Sequence, residues 1–377
     1  MAQADWTVHN ADGRRRVIVT KGLPGTRWLD LLTGAGCRVE VSQSARVLGR
    51  EELAVRIGER CDAVIGQLTE DWDAGLFDVL AAAAGRIYAN YAVGYDNVDV
   101  DAATERGIAV ANTPGVLTET TAEMAVALTF AVARRIVEAD RYVREGRFES
   151  WLPTLFIGQR LCRRTVGVIG AGRIGSAYAR MMVEGHKMDL VYYDIFRNEH
   201  LEQAVAAYSE LLVARGEDPV SCRRADTVEE VLATADVVSL HTVLDDTTTH
   251  LIDAARLAMM KDNAMLVNTS RGPIIDEAAL VDHCREHPHF LAGIDVFEHE
   301  PSLTPGIRDL DNIVVTPHIA SASQWTRRGM ATLAALNIIA VLHGLPVWRD
   351  DDVLPFLSDD PPDAAPSVVN ATELGLD

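Results

Sequence analysis

Three side chains of complementary chemistry follow strand-like runs in the second half of the chain. Arg271 comes after the run 264–268, Glu300 after 291–294, and His318 after 313–316. An imidazole exchanges a proton near neutrality. A carboxylate on its second ring nitrogen favours the protonated form. A guanidinium is a permanently charged fork that matches a carboxylate and can polarise a carbonyl. These parts suit a 2-keto acid whose carbonyl carbon receives a hydride, since the resulting alkoxide needs a proton. Each residue also has a structural reading: Arg271 as a cap or surface ion pair, Glu300 as a loop carboxylate before Pro301, His318 as a satisfied histidine after Pro317. Their common place at strand ends favours chemistry, because open α/β sheets bind ligands beyond the carboxyl ends of their strands. His241, after the run 237–240, reads as a pocket wall.

The hydride source is suggested by Gly170-Ala171-Gly172-Arg173-Ile174-Gly175, which directly follows the apolar run 165–169 and opens a helical stretch at 174–182. In that setting Gly170 permits a tight turn, Gly172 lets a pyrophosphate approach, and Gly175 lets helix and strand pack closely. The helix N-terminus supplies unpaired N–H groups for the phosphates. Asp194 ends the run 190–193, 19 residues after Gly175. An acid there accepts from both ribose hydroxyls and repels a 2′-phosphate, so NAD is expected rather than NADP. Arg197 is the counter-indication.

The elements that must position these residues are legible as alternating strands and helices. Strands are expected at 17–19, 39–41, 63–65, 87–89 and 108–110, then at 165–169, 190–193, 237–240, 264–268, 291–294 and 313–316, which argues for parallel α/β sheets. A single long helix is expected over 119–145, followed by an irregular aromatic stretch at 151–159. The segment 198–226 reads as a surface elaboration. A helix at 324–342 returns to the first unit, and the Pro/Asp-rich tail from 350 is expected to be extended or mobile. The domain expectation is 1–115 as the first part of a substrate domain, 116–317 as the dinucleotide domain, and 318–377 as the completing helix and tail.

Composition narrows the classes. The formal charge of −20 disfavours nucleic acid as a partner. No stretch approaches the roughly 20 apolar residues of a membrane span. The five cysteines are scattered without a C-x-x-C pair, which points to a reducing compartment and to no metal site. No secretory signal is read at 1–10.

The runs Val168-Ile169-Gly170-Ala171-Gly172-Arg173-Ile174-Gly175, Val267-Asn268-Thr269-Ser270-Arg271-Gly272-Pro273, Asp295-Val296-Phe297-Glu298-His299-Glu300-Pro301 and Thr316-Pro317-His318-Ile319-Ala320 resemble the D-isomer-specific 2-hydroxyacid dehydrogenase family over residues 15–348. Within it, Ala179-Arg180-Met181-Met182-Val183-Glu184-Gly185, Ala320-Ser321-Ala322-Ser323 and the long insert resemble the plant-type, NADH-dependent branch that reduces hydroxypyruvate. The resemblance implies two doubly wound parallel-sheet domains, a Rossmann NAD domain inserted into a flavodoxin-like substrate domain. It implies that Arg271 binds substrate, Glu300 tunes His318, and His318 is the acid/base. It implies substrate binding at Val93 and Gly94, cofactor contacts at Arg173, Ile174, Thr269 and Asp295, and a homodimer paired through the helix near 120–145.

Formate dehydrogenases of the superfamily carry Gln where this chain has Glu300, so formate is disfavoured. His241-Thr242-Val243 departs from the His-Pro-Leu of many relatives. The ending Glu373-Leu374-Gly375-Leu376-Asp377 is not the peroxisomal S-K-L of plant relatives, which leaves peroxisome or other organelle against cytosol open. Two rivals also stay open. One is a dehydrogenase for another acid such as 3-phosphoglycerate, given Arg14, Arg15, Arg16, Lys21 and Arg27. The other is an NAD-sensing, co-repressor-like binding protein.

Overall fold

A computed structural model describes residues 6–376. The chain divides into two α/β units: one runs to Leu117 and resumes at Ala322, and the other is Thr118–Ser321. Strands and helices are numbered along the chain.

In the first unit β1 (Trp6–His9), β2 (Arg15–Val19), β3 (Cys37–Ser42), β4 (Ala63–Gly66), β5 (Ile87–Asn90) and β6 (Ala109–Ala111) form one sheet in the order β1-β3-β2-β4-β5-β6. All neighbours are parallel except β1 on β3. The middle strands are buried, as their near-continuous Val, Ile and Ala runs require of a sheet covered on both faces. The helices are α1 (Arg27–Gly34), α2 (Arg50–Ile57), α3 (Ala74–Ala82) and α4 (Val100–Glu105), and from the C-terminal piece α12 (Gln324–His343) and α13 (Ala371–Leu374). Helices α2 to α4 share a core with the sheet in which the Trp72 and Tyr88 rings pack at a tilt with centroids 4.2 Å apart. Helices α1 and α12 pack on each other, and α12 lies on β5.

The tail differs from expectation: it is packed. The N–H of Val369 donates to the Val110 carbonyl at 2.7 Å. The buried Asn370 accepts the Val110 N–H at 2.8 Å and donates to Ile108 O and Thr104 Oγ1. The edge of β6 is thereby covered rather than left open for pairing.

In the second unit β7 (Thr165–Ile169), β8 (Asp189–Tyr193), β9 (Cys222–Arg224), β10 (Val237–Leu240), β11 (Met265–Asn268), β12 (Leu291–Ile294) and β13 (Ile313–Val315) form an all-parallel sheet in the order β13-β12-β11-β10-β7-β8-β9. Helices α5 (Thr118–Ala133), α7 (Arg173–His186) and α8 (Glu199–Ala214) share one core, centred on Tyr178 and Met182. Helices α9 (Val228–Thr234), α10 (Ala254–Leu257) and α11 (Glu277–Glu286) share the other, with Leu232, Leu257, Leu280 and Phe290.

Three expectations are corrected here. The long helix is two helices, α5 and α6 (Ile136–Arg144), because Arg135 takes a left-handed conformation at φ 53°. Helix α6 buries no residue, whereas α5 is a core element. The segment 198–226 is not merely a surface elaboration. It supplies α8, which buries Leu201, Val205 and Leu212, and the seventh strand β9. Finally, the second unit extends to Ser321, so His318 belongs to it and not to the C-terminal piece. The reason is the side chain of Asp295, which ties residues 316–320 to the end of β12.

Candidate active site

The glycine loop is explained by what surrounds each position. Gly170 has φ +91°, and a Cβ there would lie 2.7 Å from the carbonyl of His241. A Cβ on Gly175 would lie 1.9 Å from the Gly170 oxygen. Gly172, at the N-terminus of α7, faces open space. Two glycines are thus required by packing, and the third leaves room for a ligand, which is what a dinucleotide pyrophosphate needs. Asp194 accepts the N–H of Ala171 at 2.7 Å and that of Phe196 at 2.9 Å, so the carboxylate joins the loop to the end of β8. Asn198 also braces the loop, donating to Ala171 O and Ser176 Oγ. Arg197 is paired with Glu202 at 2.7 Å. The hydroxyls of Thr242 and Thr269, beyond β10 and β11, are buried without a protein partner among the described residues. Such orphan groups at the carboxyl edge fit a polar cofactor.

Glu300 and His318 meet at the same edge. Nδ1 of His318 lies 2.9 Å from Oε2 of Glu300, whose Oε1 accepts the Phe297 N–H at 2.9 Å. Burial works to raise the Glu300 carboxyl. The hydrogen bond and charge of His318, the Phe297 N–H and the Arg271 charge outweigh it and hold the carboxyl below its ordinary range. His318 has φ +54°, a conformation that costs an L-residue about 1 kcal/mol or more. Asp295, fully buried, holds it there. Its backbone oxygen accepts the His318 N–H at 2.8 Å. Its carboxylate accepts the Thr316 hydroxyl at 2.6 Å and the N–H groups of Ile319 and Ala320 at 2.9 and 2.7 Å. In this structure Asp295 is a loop-holding group, where the resemblance gives it a nicotinamide contact.

Arg271 follows β11, and its carbonyl accepts from Asn268 Nδ2 at 2.8 Å. Its Nη1 donates to Ser270 O at 2.9 Å. A Cβ on Gly272 would fall 1.9 Å from the Phe297 carbonyl carbon, so only glycine lets the Arg271 loop abut the strand-end that carries Glu300. Glycine at 272 sits in a motif the sequence displays, but its packing role had no sequence signal. His241 donates to or accepts from Ser239 Oγ at 2.9 Å and packs on Tyr178. Burial pushes its imidazole down to about 3, so it is neutral at working pH. A second pair, His250 with Glu298 at 2.7 Å, is tied to α11 through the Glu298 N–H on Glu277.

In the first unit, Val93 and Gly94 lie in the loop after β5. Asn112 Nδ2 donates to the Val93 carbonyl at 2.8 Å, and Asn90 Nδ2 to that of Gly94 at 2.9 Å. Neither N–H has a protein acceptor among the described residues. With both carbonyls held, the loop offers two adjacent donors to an anion. Asn112 is held in turn by the Ser367 hydroxyl on its Oδ1 at 2.6 Å and by Asn337 on its carbonyl at 3.1 Å. Sequence reasoning missed Asn90, Asn112 and Ser367, since an isolated polar residue after a strand carries no distinguishing pattern.

The chain belongs to the D-isomer-specific 2-hydroxyacid dehydrogenases: residues 126–320 match the model of that family's NAD binding domain. It is 58% identical over 373 residues to the peroxisomal glycerate dehydrogenase HPR of Arabidopsis thaliana, covering 98% of this chain and 97% of that one. It is 46% identical over 287 residues to the glyoxylate reductase of Korarchaeum cryptofilum, covering 75% and 80%. A crystal structure of a Thermus thermophilus protein matches with a TM-score of 0.78 at 39% identity, covering 94% and 99%. The NADPH-dependent glyoxylate/hydroxypyruvate reductase of Sinorhizobium meliloti, solved with NADP and malonate, matches with a TM-score of 0.70 at 29% identity, covering 87% and 94%.

Proposed function

We propose that this chain reduces hydroxypyruvate to D-glycerate with NADH, and glyoxylate to glycolate as a smaller and poorer substrate. One observation carries the reading: the 2.9 Å Glu300–His318 pair, with the Arg271 charge acting on it, at the carboxyl edge of a nucleotide-binding sheet. The activities named for the glycerate dehydrogenase and glyoxylate reductase relatives support it.

NADH held by the 170–175 loop, with its ribose on Asp194, supplies the hydride. We assign further cofactor contacts to Arg173, Ile174, Thr269 and Asp295. Arg271 binds the keto acid and polarises its carbonyl, and we assign the N–H groups of Val93 and Gly94 to the substrate carboxylate. His318 gives its Nε2 proton to the new alkoxide, and Glu300 balances the imidazolium charge. A phosphorylated substrate is disfavoured. Arg14, Arg15 and Arg16 lie at the amino end of β2, while Val93 and Gly94 follow the carboxyl end of the parallel β5. Lys21 and Arg27 donate to backbone carbonyls of 45, 46, 357 and 358.

We also propose a homodimer paired through α6 and the segment after it, where Ile136, Val143, Phe148, Trp151, Leu152 and Ile157 are exposed. The test of the activity is NADH and NADPH oxidation with hydroxypyruvate, glyoxylate and pyruvate side by side. The expected order puts NADH with hydroxypyruvate highest in kcat/KM. A preference for pyruvate or for NADPH would overturn it, and tight NADH binding without oxidation would support a docking protein instead.

A further inference from the structure

The amino-terminal edge of the first unit's sheet carries a cleft of about 500 Å³ in which arginines outnumber carboxylates. Arg14 and Arg16 stand at the start of β2, Arg38 in β3, Arg56 in the last turn of α2, and Arg60 in the turn before β4. At the centre is Glu40, only 2% exposed. It accepts from Arg16 Nη2 and Arg38 Nε at 2.8 Å each, and from Arg56 Nη2. Burial works to raise this carboxyl, but hydrogen bonds from Arg16 and Arg38 pull it down to about 2. It is therefore ionised, and one negative charge faces three guanidinium groups.

The pattern elsewhere is different. Arg46 pairs with Glu52, Arg106 with Asp78, Arg144 with Asp140 and Arg180 with Glu184. A chain of net charge −20 has carboxylates to spare, yet here the cations are left in excess. Arg16 is the scaffold. Its donors are taken by Glu40 and by the carbonyls of Arg56, Ile57 and Arg60. The others keep donors available. Among the described residues, Arg38 beyond its Glu40 bond reaches only the Ala11 carbonyl, at 3.4 Å. Arg56 lies 4.3 Å over the Trp6 ring, and its Nε is buried without an acceptor among the described residues. Burial and the charges of Arg16 and Arg38 act against its protonated form, although Glu40 supports it. Arg14 has no ion pair among the described residues, and Arg60 approaches Asp62 at 4.0 Å and donates from Nη2 to the Arg14 carbonyl at 3.2 Å. Gly13 shapes the floor: a Cβ there would lie 2.3 Å from the Arg38 nitrogen.

We propose that this cleft is a second anion site, taking a small phosphate-bearing anion on Arg14, Arg38, Arg56 and Arg60. A phosphate offers more acceptor oxygens than a carboxylate and can meet several guanidinium forks at once. The net charge of the chain and the size of the cleft favour a small anion over a nucleic-acid backbone. The site lies at the opposite sheet edge from the Val93–Gly94 loop, so it does not compete with the keto acid.

The test is calorimetric titration of the full chain, saturated with NADH to block the glycine loop and held at constant ionic strength with chloride. The probes are inorganic phosphate, pyrophosphate and glycerol 2-phosphate. Saturable binding is expected, at least tenfold weaker in the Arg14→Gln/Arg60→Gln double variant and unchanged in Arg144→Gln. Preference for inorganic phosphate assigns the site to the free ion, and preference for glycerol 2-phosphate to an ester. The double variant should keep the wild-type Tm and keto-acid KM. No saturable binding of any probe, or binding that the double variant leaves intact, would overturn the proposal.

Discussion

Oε2 of Glu300 occupies Nδ1 of His318 at 2.9 Å, which leaves Nε2 as the ring atom for proton exchange. Replacing His318 by Ala should lower turnover about 10³-fold, within the usual range for a general acid, with NADH affinity unchanged by fluorescence titration. Glu300→Gln keeps a hydrogen bond but not the balancing charge. Its loss should be about 10- to 100-fold, and the pH profile for reduction should move to the acid side. Full activity in His318→Ala would refute the assignment.

Two glycines of the nucleotide loop should separate by mechanism. Gly175→Ala puts a methyl against the Gly170 oxygen, so both Tm and NADH affinity should fall. Gly172→Ala adds a methyl in open space. Its Tm should be near wild type while NADH binding weakens by about tenfold, equivalent to roughly 1.4 kcal/mol. Equal effects in both readouts for the two variants would contradict the roles given them.

Asn112 is expected to act on affinity rather than on chemistry. Asn112→Ala releases the Val93 carbonyl, and the keto-acid KM should rise about tenfold, as the loss of one buried hydrogen bond predicts. The kcat should change by less than about threefold. Ser367→Ala should give a smaller rise in KM by loosening Asn112. A kcat effect that exceeds the KM effect would count against this reading.

Glu40 gives a pH-dependent stability term of definite sign. Its carboxyl is lowered from 4.5 to about 2 in the folded state. The stabilisation is therefore fully present above the unfolded value of 4.5 and is lost as pH falls through about 2. Glu40→Gln should cost about 3 kcal/mol at neutral pH, as for breaking a buried ion pair. The gap from wild type should narrow below pH 4.5 in denaturant titrations. A gap that stays constant down to pH 2 would show that the charge is not what Glu40 contributes.

Much of this arrangement was legible because its causes are local. Gly170, Gly172 and Gly175 announce themselves by following a strand and opening a helix, and the apolar runs of β7, β10, β11 and β12 are buried on both faces. Arg271, Glu300 and His318 could be grouped because strand ends share an edge. What escaped was set by tertiary pairing. The strand β9, Cys222-Arg223-Arg224, has no strand-like hydrophobicity and exists because the edge of β8 offers it main-chain partners. The break between α5 and α6 falls at Arg135, with no Gly or Pro to mark it. The tail has no periodicity because it is fixed point by point, through the hydrogen bonds of Val369 and Asn370 to β6 and single buried side chains such as Val353 and Phe356, rather than along one helical or strand face. The hold of Asp295 on the His318 loop depends on three donors that lie more than twenty residues away in sequence.

The first unit is written in two pieces with the whole second unit between them, and this imposes an order on synthesis. Residues 6–117 leave the ribosome before α12 exists, and Leu333, Ala334, Ala335 and Ile338 of α12 are completely buried in the finished unit. The continuous unit 118–321 has all its strands in hand before α12 is made, and domains fold as units when their chain is complete. The nucleotide fold is therefore finished first, and the loop that carries Val93 and Gly94 gains the Asn337 and Ser367 supports of Asn112 only when the last fifty or so residues arrive. A nascent chain acquires its cofactor fold before it can complete the unit that holds its substrate.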